Sequence, residues 1–417
     1  MGCYGVPDVR TPNFDDFAGQ GLRFENNFGT APLCSPSRAS LWTGRYPHSN
    51  GVIGLAHSGF QNDLHPNERH LAQILTDVGY DTQLFGIQHI SPRPERLGYK
   101  GIHPRGLCGK VAEEVCKFLT DRKDDENPLF LKAGFIESHR PFPHQDVEML
   151  DPASLTVLPY LPDIPETRQD LAELEASISS ADKAFGRIVK AVDDCGMTDN
   201  TIVTFTTDHG ISFPHAKSTL YDPGIETALL MHIPGVGGGK VYKEMISNID
   251  FVPTILDFLD MEIPENIQGR SFKGLITGEG YKPREAIFAE KTYHNYYDPM
   301  RAIRTGKWKL IANFEFSSWQ DIAPGLIVTD SAKKYVEIYK ALAPPREKHY
   351  HPPFELYDLE ADPWEGNSLA ENSEFKDICD RLIKQLRQWM QDTGDPLLEG
   401  PMAQGAYRNR MNAFKKF

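Results

Sequence analysis

The segment NTIVTFTTDHG, residues 200–210, reads as a buried strand that runs into a polar turn. It follows a long predicted helix within residues 166–195, and its apolar run covers residues 201–205. Continuous apolar strands between helices are typical of a mostly parallel sheet that is covered on both faces. Ligands of such sheets bind at the carboxyl ends of the strands, so this segment also indicates where chemistry is to be sought.

The same alternation of helix and strand extends toward the N-terminus. Apolar residues recur at helical spacing and glycines close the segments, which predicts helices, and shorter apolar runs between them predict strands. The predicted helices are TPNFDDFAGQG (11–21), NERHLAQILTDVG (67–79) and residues 109–121, and the predicted strands are YDTQLFG (80–86) and PLFLKAGF (128–135). The sequence therefore predicts an α/β fold with a mostly parallel central sheet flanked by helices.

The pattern changes after about residue 283. The segments AIFAEKTYHN (286–295), MRAIRTGKWKLIANF (300–314) and FELYDLEADP (354–363) read as antiparallel strands, and a final helix is predicted near residues 373–393. We therefore expect a large domain over residues 1–282 and a smaller antiparallel-sheet domain over residues 283–417.

Composition limits the function classes. The chain has 417 residues, of which 40% are hydrophobic and 24% charged, enough for one large or two ordinary globular domains. Its formal net charge of −14, with no offsetting basic run, argues against a nucleic-acid partner. No apolar run approaches membrane-spanning length, and the start MGCYGVPDVR lacks the pattern of a secretory signal. Six scattered cysteines fit a reducing compartment, so a cytoplasmic location is expected.

Candidate chemical groups follow three of the predicted strands. Asp208 and His209 come directly after the run 201–205, where a carboxylate and an imidazole can share a metal ion, although Asp-His-Gly is also an ordinary turn. His139 follows strand 128–135 and His89 follows strand 80–86, while Lys217 adds a cation soon after the Asp-His pair. Together such groups can supply the local positive field that the acidic chain otherwise lacks.

A further signal lies in APLCSPSRASLWTG, residues 31–44. Ser35 reads as a helix N-cap and Pro36 as the first helical residue, with Gly44 ending the helix. These assignments leave Cys34 and Arg38 unexplained. A nucleophile before free backbone N–H groups, with a guanidinium one turn later, suits a tetrahedral oxyanion such as sulfate or phosphate.

These motifs together resemble the formylglycine-dependent sulfatases of the alkaline-phosphatase-like superfamily, in order and over nearly the whole chain. The segments that carry the resemblance are TPNFDDFAGQGLRFENNF (11–28), CSPSRASLWTGRYPHSNGV (34–52), NTIVTFTTDHG (200–210), STLYDPG (218–224) and ELYDLEADP (355–363). Within the superfamily, the chain is most similar to the N-sulfoglucosamine sulfohydrolases, or heparan N-sulfatases. That finer similarity rests on the loops NGVIGLAH (50–57), GISFPHAKSTLYDPG (210–224) and YHNYYDPMRAIRTGKWKLI (293–311).

The resemblance implies an enzyme, a sulfuric ester or sulfamidate hydrolase. Cys34 would be oxidised to formylglycine by a formylglycine-generating or anaerobic sulfatase-maturating enzyme that reads Cys-x-Pro-x-Arg. One hydroxyl of the hydrated aldehyde would attack sulfur, and the second would expel sulfate, with a divalent cation neutralising charge. Calcium is the first expectation for that cation, with magnesium and manganese as alternatives.

The resemblance also implies a role for each candidate. The implied catalytic residues are Cys34, Arg38, His89 and His139, the implied substrate-binding residues are Lys217 and His294, and the implied metal ligands are Asp208, His209 and residue 34. The implied partners are a sulfated saccharide and the maturating enzyme.

Two features depart from the family pattern. Members normally begin with an apolar strand that ends in two aspartate metal ligands, ahead of the Gly-Cys-Tyr-Gly stretch that here occupies residues 2–5. We expect a misassigned or truncated start, or a decayed paralogue, and a gap in the sheet where that strand would lie. The second departure is Ile87, in GIQHI, where the family carries lysine.

Three functions therefore stay open. The leading one is a sulfatase that acts on an O-sulfated or N-sulfated sugar. The second is a phosphate or phosphonate ester hydrolase of the same superfamily, since both groups are tetrahedral anions. The third is a catalytically impaired protein that binds sulfated glycans.

Overall fold

The computed structural model describes residues 1–6, 8–57, 60–294, 296–315, 333–334 and 351–415. Its strands form three sheets, and most of its helices cover the two faces of the first two sheets. The helices are α1 (Pro12–Gln20), α2 (Cys34–Thr43), α3 (Pro47–Asn50), α4 (Leu71–Asp77), α5 (Cys108–Asp121), α6 (Pro165–Asp194), α7 (Asp222–Ile225), α8 (Phe251–Phe258), α9 (Lys273–Thr277), α10 (Lys376–Asp392) and α11 (Gly405–Phe414). The strands are β1 (Leu22–Phe28), β2 (Asp81–Gly86), β3 (Gly101–Ile102), β4 (Leu129–Gly134), β5 (Val203–Thr206), β6 (Glu226–His232), β7 (Lys240–Tyr242), β8 (Ile246–Ser247), β9 (Ala286–Tyr293), β10 (Tyr297–Thr305), β11 (Trp308–Asn313) and β12 (Phe354–Asp358).

The first two sheets carry the α/β part of the fold. One is parallel throughout, in the order β3-β2-β4, and the other has the order β5-β6-β1-β7 with β8 also paired to β1. Strand β6 runs antiparallel to both β5 and β1, while β7 and β8 run parallel to β1. The predicted α/β class is confirmed, and the structure adds that the second of these sheets is mixed.

Helices cover both faces of these sheets, as continuous apolar strands require. On one face, Phe24 of β1 packs in a cluster with Leu41 of α2 and Leu256 of α8. On the other face, Phe85 of β2 packs with Val115 of α5 and with residues of α6. No helix within the described ranges is long and apolar enough to cross a membrane.

A cavity separates the two sheets. Among the residues that the structure describes, β4 pairs only with β2 and β5 pairs only with β6. Successive residues of both unpaired edges line one cavity of about 1720 Å³. Its walls include Phe130 and Leu131 of β4 and Val203 and Phe205 of β5. The unpaired edges of β4 and β5 thus both face this cavity. The predicted gap left by a missing strand stays a prediction.

The third sheet is antiparallel, in the order β12-β11-β10-β9, as predicted for this part of the chain. Helix α10 packs on it through Leu382, Leu386 and Trp389, and the Trp389 ring stacks on Phe288 with centroids 4.9 Å apart. The division of the chain at residues 282 and 283 stays a prediction.

Helix α2 starts two residues earlier than predicted. Leu33, not Ser35, is the N-cap, and Cys34 is the first helical residue. The side chain of Ser35 accepts a hydrogen bond from the backbone N–H of Ala56 at 3.1 Å, so its hydroxyl holds a neighbouring loop rather than capping the helix. The end at Gly44 is as predicted, with a positive φ of 69° that glycine adopts without strain.

Candidate active site

Cys34 lies at the centre of the predicted site. It is 6% exposed, at the start of α2, directly after the turn that follows β1. Its Sγ atom lies 3.1 Å from Nε2 of His209 and 3.6 Å from Nζ of Lys217. A buried ammonium and an imidazole thus converge on the atom that the family chemistry would modify.

Arg38 is tied to the carboxylate that follows β5. Its Nε donates to Oδ2 of Asp208 at 2.7 Å, and the neighbouring Ser37 hydroxyl donates to the backbone carbonyl of Asp208. Burial opposes ionisation of Asp208, but Arg38 and His209 outweigh it and hold the pKa of that carboxyl well below its usual range. These two contacts connect helix α2 to the end of β5, and the Asp208 carboxyl is ionised there.

The same charges act on the Cys34 thiol. Burial alone would raise its pKa, but Lys217 and His209 lower the pKa of the thiol well below its ordinary value. His209 donates from Nδ1 to the carbonyl of Gly210 at 2.7 Å, because a carbonyl can only accept, and this leaves Nε2 facing sulfur. Burial opposes protonation of His209, yet Asp208 and Cys34 raise the pKa of its imidazole.

Two more histidines face the same cavity. His139 donates from Nδ1 to the carbonyl of Arg140 at 2.8 Å, which leaves Nε2 open toward the cavity. His294 follows β9, is 7% exposed, and its Nδ1 lies 3.2 Å from the Ser218 hydroxyl. Burial and then Lys217 lower the pKa of both imidazoles, that of His294 to about 3, so His294 is neutral at ordinary pH.

His89 completes the predicted set, at the end of β2. Its φ is 52°, and its ring stacks on His57 with centroids 5.8 Å apart and planes inclined by 5°. Sequence reasoning missed His57 as a site residue, although the loop NGVIGLAH that ends on it had been singled out. Ile87 also lines the cavity, and the effect of its departure from the family pattern stays a prediction.

The structure therefore brings every predicted site residue to one cavity. Those residues are Cys34, Arg38, His89, His139, Asp208, His209, Lys217 and His294. Their individual roles stay predictions.

The three predicted metal ligands lie close together. Ligand atoms of Cys34, Asp208 and His209 all lie within 4.8 Å of one another. Calcium takes six to eight oxygens, whereas this set offers one carboxylate, one imidazole nitrogen and one sulfur. Oδ2 of Asp208 is moreover held by Arg38. These three groups do not complete a calcium site among the described residues.

The fold and this site define a class of protein. A buried residue at a helix start, flanked by a lysine, an arginine and histidines at the carboxyl ends of strands, is a centre suited to a tetrahedral anion. The chain belongs to the sulfatase family, since the family model described as Sulfatase matches residues 1–261. A second model, described as N-sulphoglucosamine sulphohydrolase, C-terminal, matches residues 209–323. Members of this family are sulfuric ester or sulfamidate hydrolases, which use a metal ion and formylglycine.

Individual proteins agree with the family assignment. The chain is 28% identical to human N-sulphoglucosamine sulphohydrolase, over 96% of this chain and 89% of that protein. It is 29% identical to an ulvan-active sulfatase of Formosa agariphila, over 95% of this chain and 78% of that protein. A solved putative sulfatase from Bacteroides fragilis matches with a TM-score of 0.77 and 21% identity, covering 97% of this chain and 95% of that one.

Proposed function

We propose that the protein hydrolyses the sulfate group of a sulfated sugar, and that N-sulfated glucosamine is its preferred substrate. The observation that carries the proposal is the placement of Lys217 and His209 around Cys34. The similarity to human N-sulphoglucosamine sulphohydrolase supports the choice of the N-sulfate over an O-sulfate.

Formylglycine made from Cys34 supplies, in its hydrated form, an oxygen nucleophile and a second hydroxyl that permits release of sulfate. Arg38 orients that group, because it reaches from the second turn of α2 and is fixed by Asp208. Lys217 neutralises sulfate oxygens from a buried position next to residue 34. Lys217 is 5% exposed, and a charge that is buried to this extent is screened less than a charge in water.

Proton transfer to the departing amine or hydroxyl needs a donor within hydrogen-bonding reach. We assign this work and further sulfate contacts to His89 and His139, which line the cavity at the ends of β2 and β4. His294, held neutral by its surroundings, is assigned a contact with the sugar from the side of the antiparallel sheet.

We further propose a divalent cation, with calcium first and magnesium or manganese as alternatives. Asp208, His209 and an oxygen in place of Sγ at residue 34 would hold it. These groups supply three ligands at most, so the rest of its shell must come from oxygens outside this set.

The choice between sulfate and phosphate follows from charge. Near neutral pH a phosphate monoester carries up to one more negative charge than a sulfate monoester. Ile87 leaves the cavity with one fixed cation fewer than the family pattern, and fewer cations favour the less charged group. The sulfated sugar should therefore be preferred over the matched phosphate.

The test compares kcat/KM on N-sulfoglucosamine, 6-O-sulfoglucosamine and glucosamine 6-phosphate, with formylglycine-containing, metal-loaded protein. The N-sulfate should be cleaved fastest, and Cys34→Ala should abolish all three activities. A faster phosphate reaction would instead support the phosphate or phosphonate hydrolase. Binding of the sulfated sugars without turnover would support the impaired glycan-binding protein.

A formylglycine-generating or anaerobic sulfatase-maturating enzyme is proposed as the partner in maturation, supported by the intact motif at Cys34, Pro36 and Arg38. A cytoplasmic location also stays a proposal. It is supported by six cysteines that are all free thiols in the structure.

A further inference from the structure

Arg105 lines the cavity with a charge that no neighbouring residue neutralises. Within the described part of the chain, the arginines that line the cavity are Arg38, Arg105 and Arg122. Arg38 is paired with Asp208, and Arg122 is paired with Asp81. Arg105 is exposed and makes neither an ion pair nor a hydrogen bond with any residue that the structure describes. Its charge and its five N–H donors are therefore available to a ligand.

The pairing of β2 with β3 places Arg105 at the edge of the sheet where the active site lies. The two strands are parallel, with Leu84 opposite Ile102. The backbone N–H of His103 donates to the carbonyl of Leu84 at 2.8 Å, so the register continues past the last residue of β3. Arg105 and Ile87 each come three residues after the Leu84–Ile102 pair. Arg105 therefore leaves the sheet at the same carboxyl edge as Ile87, the edge at which ligands of such sheets bind.

The backbone around Arg105 is anchored on both sides. The His103 ring stacks on the Phe85 ring, with centroids 3.8 Å apart and planes inclined by 5°. Nε2 of His103 also lies 2.8 Å from Oε1 of Gln83. Helix α5 begins at Cys108, three residues after Arg105. The fold thus fixes where the Arg105 side chain starts, while the guanidinium itself stays exposed.

Arg105 stands apart from the groups that surround residue 34. The charges of Lys217 and Cys34 act on His139, which follows β4. In the sheet order β3-β2-β4, strand β2 lies between β4 and the strand that leads to Arg105. Neighbouring strands lie about 4.8 Å apart, so β3 is about 10 Å from β4. An anion bound by Arg105 is therefore a different group from the sulfate bound at residue 34.

The segment around Arg105 is positive, although the chain as a whole is negative. Residues 91–110 contain five lysines and arginines and one glutamate, whereas the chain carries a formal net charge of −14. Arg93 and Arg96 share one carboxylate, that of Asp63, at 2.9 and 2.6 Å, so this group keeps an excess positive charge. Such a local excess attracts anionic ligands.

We propose that Arg105 is a specificity-determining residue, which binds a second anionic group of the saccharide substrate, either a carboxylate or a further sulfate. The planar guanidinium matches the paired oxygens of both groups. This inference rests on the proposed function, because it concerns the saccharide whose sulfate is cleaved at residue 34. It makes a saccharide with two negative groups a better substrate than one with a single sulfate.

Binding is tested by titration calorimetry in a Cys34→Ala background, which does not turn the ligand over. N-sulfoglucosamine linked to glucuronic acid is compared with the same sugar linked to glucose, which tests for a carboxylate. Glucosamine 2-N,6-O-disulfate is compared with N-sulfoglucosamine, which tests for a sulfate. In at least one pair the more anionic ligand should bind about fivefold to tenfold more tightly. Adding Arg105→Met should abolish that difference, whereas adding Arg381→Met, at an exposed arginine of α10, should keep it.

Kinetics give a readout that a merely structural role would not move. In formylglycine-containing protein, Arg105→Met should raise KM for the preferred anionic ligand with little change in kcat. Arg105→Lys should retain part of the preference, because it keeps the charge but loses the planar fork. The preference should also shrink at high salt, since exposed charges are screened.

Two outcomes would overturn the inference. One is equal binding of the two ligands in both pairs by the Cys34→Ala protein. The other is an unchanged preference after Arg105→Met, which would assign the second anionic group to another cation. Absence of turnover on all four ligands would refute the proposed function instead, and the calorimetric comparison would still decide whether Arg105 binds an anionic group.

Discussion

Nζ of Lys217 lies 3.6 Å from Sγ of Cys34, and both side chains are buried. Lys217 sits in the loop between β5 and α7, while Cys34 begins α2, so the contact joins segments 183 residues apart in the chain. A fixed cation therefore stands beside residue 34 before any substrate arrives. Such preorganisation is what makes electrostatic stabilisation effective in catalysis.

Replacing Lys217 tests this contact directly. Lys217→Met keeps the length of the side chain but removes the charge, and kcat/KM on the sulfated substrate should fall about 100-fold to 1000-fold. The melting temperature should change little, and the exposed substitution Lys117→Met should leave both quantities unaltered. Wild-type kcat/KM in Lys217→Met would show that this cation does not act on the substrate.

Cys34 should be converted to formylglycine in a host that carries the maturation machinery. The tryptic peptide that ends at Arg38 should then show the aldehyde mass, because the Cys-x-Pro-x-Arg motif is intact. Pro36→Ala should reduce the converted fraction. An unmodified thiol, in cells that convert a known sulfatase, would contradict the assigned chemistry.

Asp208 should be required for binding of the divalent cation. Asp208→Asn keeps the shape but removes the charge of the one carboxylate in the ligand group, so the bound metal measured by plasma mass spectrometry should drop to background. Asp77→Asn changes an exposed carboxylate of α4 and is the control. Equal metal content in the two variants would remove Asp208 from the site.

His294 should make the fold sensitive to acid. Its pKa is lowered to about 3 in the folded state, against about 6.5 for an unperturbed imidazole. Between these values the unfolded chain binds the extra proton, so this residue makes the free energy of unfolding fall as the pH drops from 6.5 toward 3. The slope should be at most about 1.4 kcal/mol per pH unit. Urea unfolding at several pH values should show a smaller loss of unfolding free energy toward acid in His294→Asn than in the wild type. The same slope against pH in both proteins would contradict this prediction.

Asp395 should be a strong determinant of stability. Its carboxylate accepts from Nε and Nη2 of the fully buried Arg301 at 2.6 and 3.1 Å. Asp395→Asn leaves that guanidinium with Glu290 as its remaining counter-charge and should cost about 3–5 kcal/mol of the free energy of unfolding. Asp392→Asn, at the exposed end of α10, should cost far less. Denaturant titrations of both variants measure the two losses of unfolding free energy, and equal losses would contradict this prediction.

The sequence predicted the alternation of helices and strands and the antiparallel third sheet, because apolar periodicity records which faces are buried. It also predicted the groups that meet at Cys34, since residues at the carboxyl ends of neighbouring strands converge. Asp208 and His209 were found in this way, and Lys217 was noted as a cation soon after them in the sequence.

Other features lay beyond sequence reasoning for physical reasons. The antiparallel direction of β6 depends on how the chain returns to the sheet, which apolar spacing does not encode. The Ser35 N-cap was mispredicted because a tertiary hydrogen bond from Ala56 competes for its hydroxyl.

A buried cluster of charged side chains joins α3 to the third sheet and limits the order in which parts of the chain can fold. His48 pairs with Glu290, which lies 242 residues further on, and Arg301 contacts both Glu290 and Asp395. Contacts over such separations form slowly, because the loop between them has to close first. During synthesis, this buried group cannot be completed until Asp395 has left the ribosome, since Asp395 pairs with Arg301. Strand β9, which carries Glu290 and leads into His294 on the cavity wall, thus gains its full set of buried contacts only when the chain is almost entirely synthesised.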